Sequence, residues 1–157
     1  MTVLRILVIG GTGFIGSKVV DHLSQLGHEV AVFHRGKSEP QSPSKALNIH
    51  GDRHDLERCA DEFRSLSPQV VVDMVPLQER DALTVVGAFS GVAECLVSIS
   101  SQDVYKAYGL LIGIESGPLQ TVPLTEDAAL RETLFPYLGK TPRNADDRTG
   151  GWTRTTR

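Results

Sequence analysis

Residues 5–20, RILVIGGTGFIGSKVV, run a string of branched apolar side chains straight into glycines at a fixed interval, Gly10, Gly13 and Gly16. The near-continuous apolar run from Val3 to Ile9 is what a central parallel strand covered on both faces requires. Behind the glycines, Ile15, Val19, Val20, Leu23 and Leu26 recur at helical spacing, and Gly27 is a natural stop. In such a strand–turn–helix unit Gly10 lets the chain turn sharply. Gly13 lets backbone approach a pyrophosphate with no Cβ in the way, and Gly16 lets the helix pack close to the strand. The helix start offers free N–H groups and a partial positive charge to an anion. Taken alone, the same glycines could be a tight turn that binds nothing. The segments downstream of the turn decide between the two readings.

Strand and helix signals then alternate. HEVAVFH (28–34) reads as a second strand, residues 35–45 as a Gly/Pro/Ser loop, and ALNIHGD (46–52) as a short third strand. Asp55 is placed to cap a helix whose inner face is Leu56, Cys59, Phe63 and Leu66. PQVVVDMV (68–75) is a fourth strand. A helix with the stripe Ala82, Val85, Val86 and Phe89 leads to ECLVSIS (94–100), a fifth. Five such units predict an α/β fold: a Rossmann-like, doubly wound parallel sheet with right-handed crossovers, incomplete on its C-terminal side. After Ser101 the pattern fades into an irregular excursion with one short helix expected near Glu126–Leu134. Residues 1–140 are read as the partial nucleotide-binding domain and 141–157 as an irregular tail, of the kind a shifted frame or a truncation leaves.

The chain has 157 residues, 40% hydrophobic and 22% charged, with a formal charge of −3, which suits one soluble domain and argues against general nucleic-acid binding. Cys59 and Cys95 fit neither a metal cluster nor a disulfide framework, so both are expected as buried thiols of a reducing, cytoplasmic compartment. No stretch approaches a membrane span or a signal peptide. The five histidines, His22, His28, His34, His50 and His54, lack metal-ligand spacing, so no metal is expected.

The glycine spacing, together with GDRHD (51–55) and SISSQDVY (98–105), resembles the extended and atypical short-chain dehydrogenase/reductases, the NAD-dependent epimerase/dehydratase group. The resemblance covers residues 3 to about 140. It implies a dinucleotide cofactor whose pyrophosphate lies on Gly10, Thr12, Gly13 and Gly16, with backbone from Phe14 and Ile15. It places Asp52 and Arg53 beside the adenine, Asp52 accepting from its amine, and Met74 and Val75 along the cleft. It implies that Ser101 hydrogen-bonds the reacting oxygen of a small-molecule substrate, a sugar nucleotide among the candidates, and that a homodimer is an option.

Two residue patterns refine that reading. The second strand ends in VFHRGK, without the carboxylate that would hold a ribose 2′-hydroxyl. Arg35, with Lys37 nearby, could pair with a 2′-phosphate instead, which favours NADP over NAD. The family's proton-moving Tyr-x-x-x-Lys occurs nowhere in the chain. Tyr137 and Lys140 are three apart rather than four, yet would share a helix face, which makes them the candidate stand-ins. Two functions therefore stand side by side. One is an epimerase, dehydratase or reductase-type cofactor domain with little or no turnover in this chain. The other is a non-enzymatic nucleotide-sensing or RNA-binding relative, and a poorly folded product would descend from the first.

Overall fold

In the computed structural model, which describes residues 2–37 and 46–134, the first strand β1 (Arg5–Ile9) lies at the centre of a parallel sheet. Its residues alternate between two cores because successive side chains leave a strand on opposite faces. Leu7 and Ile9 join Phe33, Phe63, Leu56 and Phe89 on one side, while Ile6 and Val8 join Val20 and Val32 on the other. That two-sided burial is why the run carries no polar alternation.

The other strands are β2 (Glu29–His34), β3 (Leu47–His50), β4 (Val70–Asp73) and β5 (Cys95–Ser98). All pair in parallel in the order β3-β2-β1-β4-β5. Helix α1 (Phe14–Gln25) covers one face through Val20. Helices α2 (Ala60–Leu66) and α3 (Glu79–Phe89) cover the other through Phe63, Val85 and Phe89. The expected doubly wound sheet is therefore present, and the order in which strands are added reverses between β1 and β4, where such sheets open a crevice.

Several local expectations change. Asp52, not Asp55, supplies the capping bond: its Oδ1 accepts from the His54 N–H at 2.9 Å and opens a 3-10 segment, Arg53–Cys59. Asp55 sits at a kink inside that segment and pairs with Arg58. Ile15 is 63% exposed, because Gly16, a third of a turn away, faces the Gly10–Gly11 turn and leaves Ile15 outward. Val86 is 49% exposed for the matching reason beside the buried Val85, and Leu26 is exposed at the end of α1. Cys59 is buried as expected, but Cys95 is exposed, since β5 is an edge strand with little laid over it.

The chain divides into two compact units after Ile99. The second contains a 3-10 turn, Gln102–Val104, and a helix α4 (Lys106–Leu111) where the sequence pattern suggested none. The helix expected near Glu126–Leu134 is absent. The Thr125 hydroxyl bonds Asp127 and a turn closes from Ala128 N–H to Thr125 O. Beyond it Leu130 pairs antiparallel with Tyr105, with Lys106 N–H on Ala129 O and Arg131 N–H on Val104 O. Non-local bonds have claimed the backbone groups that a helix would need. Residues 38–45 of the expected loop, the tail 141–157, Tyr137 and Lys140 lie outside the described residues.

Candidate nucleotide site

The turn after β1 and the start of α1 need glycine for steric reasons at Gly10 and Gly16. Gly10 takes φ +79°, a region that side chains disfavour, and its N–H donates to Phe33 O at 2.9 Å. A Cβ on Gly16 would fall 2.4 Å from Gly10 O, so only glycine lets α1 approach the strand end. Gly13 differs. Its φ is −76°, and a Cβ there would meet nothing among the described residues nearer than Gly10 O at 3.8 Å. Neither backbone nor packing requires glycine at that place.

Gly13 is also the N-cap of α1. No side chain caps this helix and its first turn holds no carboxylate. The partial positive end of a 12-residue helix is therefore left open to an anion from outside the chain. Thr12 is half-buried, whereas Phe14 and Ile15 are exposed beyond the turn.

The end of β4 lies against this turn. Met74 N–H donates to Ile9 O at 3.0 Å, and a Cβ on Gly10 would fall 2.9 Å from Val75 Cγ2. The structure thus brings the glycine turn, Met74 and Val75 together. Arg53 reaches the same place from the segment after β3. Its guanidinium forks onto Asp73, Nη1 to Oδ1 at 3.1 Å and Nη2 to Oδ2 at 3.0 Å, and Nη1 also donates to Val75 O. Asp73 was not singled out from the sequence. Its signal was there to find: one carboxylate closing the apolar run VVVDM.

At the end of β2, Arg35 and Lys37 are exposed, and Arg35 makes no ion pair among the described residues. His34, also missed, is buried beneath them. Its Nδ1 accepts from the Gly36 N–H at 3.2 Å, and its ring stands edge-on to His50 at 4.6 Å. That bond holds the Arg35–Lys37 turn, whose Gly36 takes φ +70°.

Ser101 belongs to the second unit. Its Oγ accepts from the Asp103 N–H at 3.2 Å as the cap of the 3-10 turn, which leaves its O–H free to donate. Arg131 fixes Asp103 at 2.6 Å. A cleft of about 360 Å³ in this unit is lined by Lys106, Glu115, Glu132 and neighbours, and contains none of the residues expected to act. Lys106 and Glu132 pair there at 2.6 Å, and that hydrogen bond holds the lysine above its usual range. Among the described residues no group of three or more His, Cys, Asp or Glu could hold a metal ion, and no helix is long and apolar enough to cross a membrane.

With this geometry in view, the comparisons are specific. Residues 6–88 match the model of the NAD dependent epimerase/dehydratase family. The chain belongs to that family. A curated relative, the 2′-dehydrokanamycin reductase of Streptomyces kanamyceticus, is 29% identical over 126 residues, 80% of this chain and 32% of that protein. UDP-glucose-4-epimerase of Stenotrophomonas maltophila, solved with NAD and formylated UDP-arabinopyranose, superposes with a TM-score of 0.67 at 21% identity, covering 85% of this chain and 44% of that one. The enzyme WbmG of Bordetella bronchiseptica, solved with NAD and UDP, gives 0.63 at 21% identity, covering 83% and 44%. The chain thus spans about a third of the curated relative and less than half of these solved structures.

Proposed function

We propose that this chain binds a nicotinamide dinucleotide at the carboxyl end of its sheet, as the cofactor-holding part of an epimerase, dehydratase or reductase. The observation that carries the reading is Gly13, a glycine that the fold does not need, standing at the open N-terminus of α1. A diphosphate laid across the turn supplies the missing reason: its oxygens take the first-turn N–H groups, and a Cβ would occupy their place. Gly10, Thr12, Gly13, Phe14, Ile15 and Gly16 form the cradle. Met74 and Val75 line the cleft, and Asp52 and Arg53 lie toward the adenine. The cofactor, when bound, supplies hydride exchange with a substrate carbon.

In the finer reading the cofactor is NADP. Arg35, exposed on a turn pinned by His34, can fork onto a 2′-phosphate, and β2 ends without a carboxylate that would repel one. The relatives solved with NAD support a nicotinamide dinucleotide and add no observation for the 2′-phosphate. The Ser101 O–H is proposed to hold the reacting oxygen of the substrate. A sugar nucleotide is the class that the relatives bound to UDP and a UDP-sugar support. Neither fold nor comparisons add an observation for the RNA-binding alternative.

Calorimetric titration with NAD, NADH, NADP and NADPH tests all of this together. Saturable binding of at least one is expected, with the phosphorylated forms tighter. A folded chain that binds none of them at millimolar concentration ends the proposal.

A further inference from the structure

We propose that Arg53 serves the nucleotide site as a positioning residue, acting through Asp73 and Val75 rather than by contact with the ligand. This rests on the dinucleotide reading above. Asp73 is 1% exposed and the Arg53 side chain 13%. Burying two charges is costly, and apolar residues of similar volume commonly serve stability as well or better. Packing alone therefore gives little reason for the pair.

What the pair does is hold one residue. The Val75 N–H donates to Asp73 Oδ1 at 3.1 Å, and the Val75 carbonyl accepts from Arg53 Nη1. Both backbone polar groups of Val75 are thus tied to a single ion pair, which fixes its conformation. The Val75 side chain is the wall that a Cβ on Gly10 would strike at 2.9 Å. A chain of contacts runs from the segment after β3, through Arg53 and Asp73, to Val75 and the glycine turn. These are the parts that must keep a fixed spacing if a dinucleotide is to lie across them. Only a guanidinium reaches both carboxylate oxygens and the carbonyl together; an ammonium cannot fork.

The test is a double-mutant cycle on binding in the full chain, using Arg53→Met, Asp73→Asn and the double variant. NADH and ADP-ribose are titrated below each melting transition. Each single change is expected to weaken binding about tenfold or more, as a small misplacement does, and the double variant to bind no worse than the weaker single. Additive losses overturn the proposal. So does Asp73→Asn binding normally while Arg53→Met does not, since Arg53 would then touch the ligand itself. Arg53→Lys keeps Asp73 paired and guards against misfolding. It is expected to melt near the wild type, yet bind about tenfold more weakly with faster amide exchange at Val75, and unchanged affinity in a folded Arg53→Lys chain also overturns the role. A wild type that binds nothing overturns the site reading and this role with it. A wild type that binds, with additive losses, overturns this role alone.

Discussion

A methyl group on Gly13 would meet nothing among the described residues closer than 3.8 Å, whereas on Gly16 it would lie 2.4 Å from Gly10 O. The two glycines should therefore fail in different ways. Gly16→Ala must push α1 off the strand end, and a loss of about 1–3 kcal/mol is expected in urea denaturation. Gly13→Ala should stay within about 1 kcal/mol of the wild type and lose nucleotide binding in calorimetry. A Gly13→Ala chain that binds normally would mean the open cradle has no ligand. Arg35→Asp should weaken NADPH more than NADH, and an unchanged ratio would remove the NADP assignment. At the cysteines, burial first, then the charges of Glu62 and Asp55, push the Cys59 thiol up, while Cys95 is exposed. Iodoacetamide should label Cys95 first, by mass spectrometry, and leave Cys59 unmodified until the fold opens.

Among the elements, the apolar strands and the helices with a clear stripe were readable, whereas the 3-10 turn Gln102–Val104 and α4 were not. β1, α1 and the Phe63–Phe89 side of the core follow directly from side-chain period, because burial on one face repeats with the geometry of the element. The segment 125–131 has good helix formers but no helix, since its backbone is spent on Val104 and Lys106. Glu115 closes the same region, its Oε1 accepting from Thr133 N–H at 2.8 Å and Glu132 N–H at 2.7 Å. Those bonds, Thr133 first, with the charge of Lys106 as a smaller aid, hold its carboxyl below the ordinary glutamate range. A carboxyl lowered on folding contributes fully above its unfolded value, and the contribution is lost as pH falls through the lowered one. Exchange protection at the Glu132 and Thr133 amides should therefore drop on acidification. In Glu115→Gln it should be low already and flat with pH; an unaltered profile would exclude Glu115 as the cause.

Over the whole molecule, β5 is the weak margin. Among the described residues it ends the sheet, and Val97 in this uncharged strand and Ile99 just beyond it are each 40% exposed. Such an edge invites pairing with another chain. Val97→Lys should lower self-association in light scattering without lowering the melting temperature by more than a few degrees, roughly the effect of a surface substitution. Equal association in the variant would place the contact elsewhere.

The parallel α/β class, the strand count and the place of the glycine turn were all legible in one dimension. Hydrophobic period and glycine spacing are local quantities, set within a strand or a turn. The buried Arg53–Asp73 fork, His34 beneath the Arg35 turn, the exposure of Cys95 and the antiparallel bridge at Leu130 were not. Each depends on which distant segment arrives beside it: the strand order β3-β2-β1-β4-β5 for the fork, His34 and Cys95, and the bonds to Val104 and Lys106 for Leu130.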